Sequence, residues 1–219
     1  MLPNTIAILT SNDVKHNNAD DVMGFTQNND LFYLSGIDQE DTLLVLYPDA
    51  IKEENKAILF VLETNEHTKI WDGERLSKEQ SVHISGITRI EWRHNFEKLL
   101  QYIAFEADGF YLGHNEHIKR VTKHQETQQD RMIKWCKQKY PLHEYYRAAK
   151  ITRELRPFKS KEEVNLIEKA IAISVQGFMR ILKTTKPHIK EYELEAELTH
   201  NLIKSGASRH AFKPIVASG

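Results

Sequence analysis

Six apolar residues on one stripe constrain this chain more than any other feature. Val164, Ile167, Ile171, Val175, Phe178 and Leu182 recur at spacings of three and four, the period of one face of an α-helix. Ser160 followed by Glu163 gives a capping-box start. Pro157 marks a break ahead of it, and Pro187 closes the helix after about Thr185. A second helix is predicted from about Glu191 to Lys204, with Leu194, Leu198 and Leu202 four apart and Gly206 as its stop. Tyr192 to Leu198 also alternates like a strand, but the glutamates suit a helix N-terminus. A strand near Phe212–Val216 is expected next. Two amphipathic helices and one strand cannot fill a core. Residues 156–219 are therefore expected to be the truncated opening of a larger domain, with apolar surface exposed along Val164–Leu182 if the chain ends at Gly219.

The preceding residues read differently. Thr5–Thr10, Asp41–Tyr47, Ala57–Leu62 and Phe110–Leu112 are short, β-branched apolar runs of the kind that form strands. Phe96, Leu99, Leu100 and Ile103 predict a helix from about Asn95 to Glu106. Another is expected over Thr127–Lys139, with Met132, Ile133, Trp135 and Cys136 toward its inner side. Asn28-Asn29-Asp30 and Asp72-Gly73 read as turns. Strands alternating with helices give an α/β layer domain over 1–155, a mixed sheet with flanking helices.

Charge narrows the function classes. Lys+Arg number 30 and Asp+Glu 31, a net charge of -1, so neither nucleic acid nor a membrane surface is an expected partner. No apolar run approaches membrane-spanning length, and Met1-Leu2-Pro3-Asn4 lacks the basic and apolar regions of a secretory signal. The single cysteine, Cys136, excludes an internal disulfide and fits a reducing cytoplasm; as a lone thiol it reads as a packing residue.

Spacing alone reveals no catalytic machinery. His114-Asn115-Glu116-His117 lacks the one-turn histidine spacing of a zinc helix and reads as a polar loop. Glu191, Glu193, Glu195 and Glu197 fit a solvated helix face better than a ligand set. Asp20-Asp21 and Asp38 to Asp41 read as caps or surface charge near turns. Ser218-Gly219 is not a nucleophile elbow, and no glycine-rich phosphate loop is present. Trp71 stands just before the Asp72-Gly73 turn, where a tryptophan packs over a hairpin or serves a binding surface.

Five ordered motifs carry a family resemblance. Asn18-Ala19-Asp20 with Phe25-Thr26-Gln27-Asn28-Asn29-Asp30-Leu31-Phe32-Tyr33-Leu34-Ser35-Gly36 resembles the N-A-D and F-R-Q-N-S-D-F-x-Y-L-T-G elements of the aminopeptidase P N-terminal domain. Ile70-Trp71-Asp72-Gly73-Glu74-Arg75-Leu76 is similar to its W-x-G-x-R-L-G element, and Leu155 to Glu163 to its R-x-x-K-S-x-x-E linker. Glu191 to Leu198 and Pro214 to Gly219 resemble the opening of its pita-bread catalytic domain. Thr26 and Ser77 depart from the pattern, standing where the family has arginine and glycine.

The resemblance implies a cytoplasmic Xaa-Pro aminopeptidase acting on peptides with proline in second position. It implies two manganese ions bridged by a hydroxide that attacks the scissile carbonyl. The family's metal ligands all lie beyond the Pro214 to Gly219 element, so no catalytic or metal residue is assigned, and the 219-residue chain alone is expected to be inactive. A homo-oligomer, dimer or tetramer, is implied. In it Asp20 and Trp71 would line the active-site entrance of a neighbouring subunit. The alternatives are a prolidase, cleaving Xaa-Pro dipeptides alone, and a non-catalytic interaction module such as the histone-chaperone subunit that keeps this fold without metals.

Overall fold

The computed structural model describes residues 1–19, 21–63, 69–70, 73–114, 116 and 126–218. The chain forms two compact units, Met1–Leu155 and Arg156–Gly219.

In the first unit β1 (Thr5–Thr10) is buried along its whole length, as a strand covered on both faces requires. Five further strands join it: β2 (Leu43–Leu46), β3 (Ala57–Val61), β4 (Arg89–Trp92), β5 (Gly109–Leu112) and β6 (Glu144–Arg147), in the order β4-β3-β2-β1-β5-β6. β2 pairs antiparallel with β1 and β3, while all other pairs are parallel. The sheet is thus mixed, with β2 alone reversed.

Alternation along the strands divides the core between two faces. Ile6, Ile8, Val45, Ile58, Phe60 and Phe110 meet α3 (Phe96–Ala104) and α4 (Gln128–Lys139) through Phe96, Leu100, Ile103, Met132 and Cys136. Phe60 and Phe96 meet edge to face at 5.3 Å. On the other face Ala7, Leu9, Leu44, Leu59 and Val61 pack with Leu31 of α1 (Asn29–Ser35) and with Ile37. Leu76 and Ile87, either side of α2 (Lys78–Ser85), join that cluster. The result is helix, sheet, helix.

Local chemistry explains the elements that periodicity did not reveal. Asn28-Asn29-Asp30 opens a helix: Asn28 is the N-cap of α1, its side chain accepting from the amides of Asp30 and Leu31. Gly36 ends that helix at φ 69°. Ser77 and Gln80 form the capping box of α2. At one sheet edge, β4 carries ion pairs from Arg89 to Glu91 (3.2 Å) and to Glu54 (3.5 Å), and Lys78 lies over the Trp92 ring. β6 closes the other edge, where a Cβ on Gly109 would stand 2.8 Å from the Glu144 carbonyl oxygen. The unit ends in α5 (Ala149–Leu155).

The second unit is a helical hairpin of α6 (Lys161–Thr184) and α7 (Glu191–Lys204). α6 begins at the Ser160/Glu163 capping box. Gly177 lets α7 approach, since a Cβ there would lie 2.7 Å from Leu198 Cδ1. Asn201 Nδ2 donates to the Ile173 carbonyl (3.1 Å), and Arg180 pairs with Glu197. The apolar stripe faces away from these contacts: Val175 is 53% exposed, Phe178 62% and Leu182 69%. The strand expected near Phe212–Val216 does not form. Strand pairing needs a neighbouring edge, and Phe212 and Ile215 stand exposed without one.

Candidate functional site

Asp20 and Trp71, the expected entrance residues, both lie outside the described residues. The connections that contain them start from β1 and β3, two parallel strands separated by β2 alone. Two strand spacings put those starting points about 10 Å apart. Both connections leave the sheet at its carboxyl edge, where open α/β sheets place their ligands.

The residues flanking Asp20 make a narrow hairpin. His16 bridges Val22 antiparallel, Asn17 N donates to the Asp21 carbonyl (3.0 Å), and Met23 N donates to that of Lys15 (2.8 Å). Ala19 takes φ 53° within this turn. Around Trp71, Ile70 is 78% exposed, Lys69 pairs with Glu74 at 3.0 Å, and Gly73 holds φ 86°.

Both connections are braced by the segment joining α1 to β2. Gln27, buried, donates from Nε2 to the carbonyls of Ile37 (3.2 Å) and Gln39 (2.8 Å), and its Oε1 accepts from Asn28 N (2.7 Å). Gln39, also buried, accepts from Leu76 N at Oε1 (2.8 Å). Arg75 Nε pairs with Glu40 Oε1 at 2.8 Å. Two motifs nearly fifty residues apart in sequence are therefore joined through residues 37–40.

A second polar network continues along the same edge. Asp41 Oδ1 accepts from Arg93 Nε and from Gln128 Nε2, each at 3.1 Å. Gln128 N donates to Asp13 Oδ2 (2.8 Å), and Arg131 pairs with Asp13. Ser11 Oγ donates to Gln128 Oε1 (3.0 Å). Asp13 thus fills the N-terminus of α4 with the chain's own carboxylate. These groups bind one another and act as bracing.

The other candidates also resolve into structural roles. His114 Nδ1 lies 3.1 Å from Asp130 Oδ1, and Glu116 pairs with Arg147; Asn115 and His117 are outside the described residues. Hydrogen bonding to Arg147 holds the Glu116 carboxyl below its ordinary range. Asp21 Oδ2 accepts from Asn17 Nδ2 (2.9 Å). Glu193 Oε2 accepts from Lys190 N (2.8 Å), Glu191 accepts from Ser218 N (2.8 Å), and Glu197 pairs with Arg180. Cys136 is buried, and burial pushes its thiol up to about 12, so it is a packing residue. Among the described residues no three His, Cys, Asp or Glu side chains are grouped to hold a metal ion, so they do not fit a metal centre. No helix among them is long and apolar enough to cross a membrane.

The comparisons with known proteins agree with this architecture. Residues 1–111 match the aminopeptidase P N-terminal domain, and residues 165–219 match metallopeptidase family M24. The chain belongs to the aminopeptidase P family, a family of hydrolytic metallopeptidases. The Xaa-Pro aminopeptidase of Escherichia coli K12 is 25% identical across the whole of this chain, which covers 49% of that protein. Human Xaa-Pro aminopeptidase 3 is 26% identical over 98% of the chain, which covers 42% of it. A structure assigned as an aminopeptidase P from Bacillus anthracis superposes with a TM-score of 0.87 at 29% identity, over 97% of this chain and 50% of that one. The E. coli aminopeptidase P shares the fold, with a TM-score of 0.78 at 22% identity over 94% of this chain and 47% of that one. The chain spans about half the length of the curated relatives it matches.

Proposed function

We propose that this chain is part of a cytoplasmic Xaa-Pro aminopeptidase, which removes the N-terminal residue from peptides with proline in second position. The observation that carries this reading is the order of the two family matches, N-terminal domain then M24, along one chain that aligns throughout with Xaa-Pro aminopeptidases. In it, residues 1–155 are the oligomerisation and substrate-entrance domain, and residues 156–219 open the pita-bread domain. Asp20 attracts the cationic end of the peptide, and Trp71 packs on its proline ring or an apolar side chain. Both belong to connections that leave the sheet at one edge, which supports this pairing of roles.

The reading includes two manganese ions and a homo-oligomer. The described residues supply no donor set, so the metals are assigned to residues other than these. The 219-residue chain alone is then inactive. The test compares this chain with the full reading frame, both in added manganese, on an Xaa-Pro-Xaa tripeptide and an Xaa-Pro dipeptide. Tripeptide cleavage by the long form alone is expected. Cleavage of the dipeptide alone would reassign the protein as a prolidase, and no turnover at all would reassign it as an interaction module.

A further inference from the structure

We propose that the groove between α3 and residues 51–55 is a docking site for an acidic peptide segment that carries a bulky apolar side chain. The groove holds about 740 Å³. It lies at the amino ends of β3 and β4, the sheet edge opposite the one where the connections from β1 and β3 leave. The inference is independent of the peptidase reading.

The apolar lining of the groove is surplus to the fold. The inner face of α3 is Phe96, Leu100 and Ile103, all buried against the sheet. Tyr102 and Phe105 lie off that face and stand 68% and 93% exposed, and Ile51, in the same lining, is 82% exposed. Clustered exposed apolar side chains with aromatic members mark a surface that takes a partner. The side of the groove away from α3 is held in place. Arg89 Nη1 donates to Asn55 Oδ1, and the same guanidinium pairs with Glu54 at 3.5 Å and Glu91 at 3.2 Å. A preformed groove costs a partner little ordering.

Charge selects the partner. Neighbouring cations are paired within the chain, Lys56 with Glu53 at 2.6 Å and Arg89 with Glu54 and Glu91. Lys52 and Lys98, which line the groove, have ammonium groups with no ion pair or hydrogen bond among the described residues. Of the lining carboxylates, Glu54 is matched by Arg89. Glu106 lies near the Tyr47 hydroxyl, which burial and then the Glu106 charge push up. Two free ammonium groups beside exposed rings fit carboxylates flanking an apolar side chain, and Glu106 is the lining charge that opposes such a partner.

The test uses the full-length protein and a fluorophore-labelled probe, two phenylalanines amid glutamates, acetylated so that it lacks the free amine of an aminopeptidase substrate. Binding is read by anisotropy, beside a twin with lysine for glutamate and a twin with serine for phenylalanine. The acidic probe should bind, and bind less tightly as salt is raised; each twin should be weaker by about tenfold or more. The double variant Lys52→Glu with Lys98→Glu should raise Kd about tenfold, as should Phe105→Ser. Glu106→Gln should lower Kd about twofold. All four side chains are exposed, so Tm should stay at the parent value. No binding by the parent protein overturns the proposal, as does binding unaltered in the double variant or in Phe105→Ser, or a lysine twin that binds as tightly as the acidic probe. Self-association that Phe105→Ser abolishes, with no peptide bound, would overturn it in favour of a second copy of this chain.

Discussion

The two units treat the same kind of side chain in opposite ways. Phe60, Phe96 and Phe110 in the first are sealed between sheet and helix, at 2% exposure or less. Phe178 in the second stands 62% exposed on a helix whose apolar stripe is at least as regular in sequence. Amphipathic periodicity makes a helix in both cases, but a core arises only where a second apolar layer meets it. The first unit has that layer in its sheet. The hairpin of α6 and α7 holds together through Gly177, Asn201 and the Arg180–Glu197 pair, on the side away from the stripe.

This contrast can be broken by substitution. Phe60→Ala should cost about 3–5 kcal/mol in chemical denaturation of the first unit, because the void beside Phe96 cannot collapse across a sheet. A loss below about 1 kcal/mol would show that this face is looser than its geometry. Gly109→Ala should cost about 1–3 kcal/mol, since its Cβ meets the Glu144 backbone, not a movable side-chain tip. Faster amide exchange confined to β5 and β6 is the expected signature. Glu116→Gln should cost about 0.5 kcal/mol at neutral pH, because Arg147 is 57% exposed. The folded Glu116 carboxyl is held below its unfolded value, so its contribution is present above that value and lost as pH falls through the folded one. Parent and variant should therefore melt together in strong acid; a gap that widened there would reverse the sign. Phe178→Ser should leave stability within about 0.5 kcal/mol and reduce self-association in light scattering. Unfolding of the hairpin by that change would mean that the stripe is covered.

Legibility in the sequence followed the same division. β1, β2, β3 and β5 were readable because burial on both faces fills them with apolar, β-branched residues. β4 (Arg89-Ile90-Glu91-Trp92) and β6 (Glu144-Tyr145-Tyr146-Arg147) were not, since edge strands are half solvated and lose that pattern. α1 hid behind Asn28-Asn29-Asp30, where cap chemistry and turn chemistry use the same residues. The strand near Phe212–Val216 was over-read, because an apolar run states a preference and not a partner. Of the bracket at the sheet's carboxyl edge, Gln27 and Arg75 were visible as motif letters. Gln39 and Glu40 were invisible, because their role exists only when residues far apart in sequence are brought together.

The ion pairs along β4 matter apart from any catalysis. That strand is four residues long and forms an edge of the sheet. A second chain adding a strand there would have to fit around Arg89, Glu91 and Lys78 and strip water from them. Where many copies of the folded chain meet at high concentration, those charges act as a spacer that disfavours pairing of one sheet edge with the next.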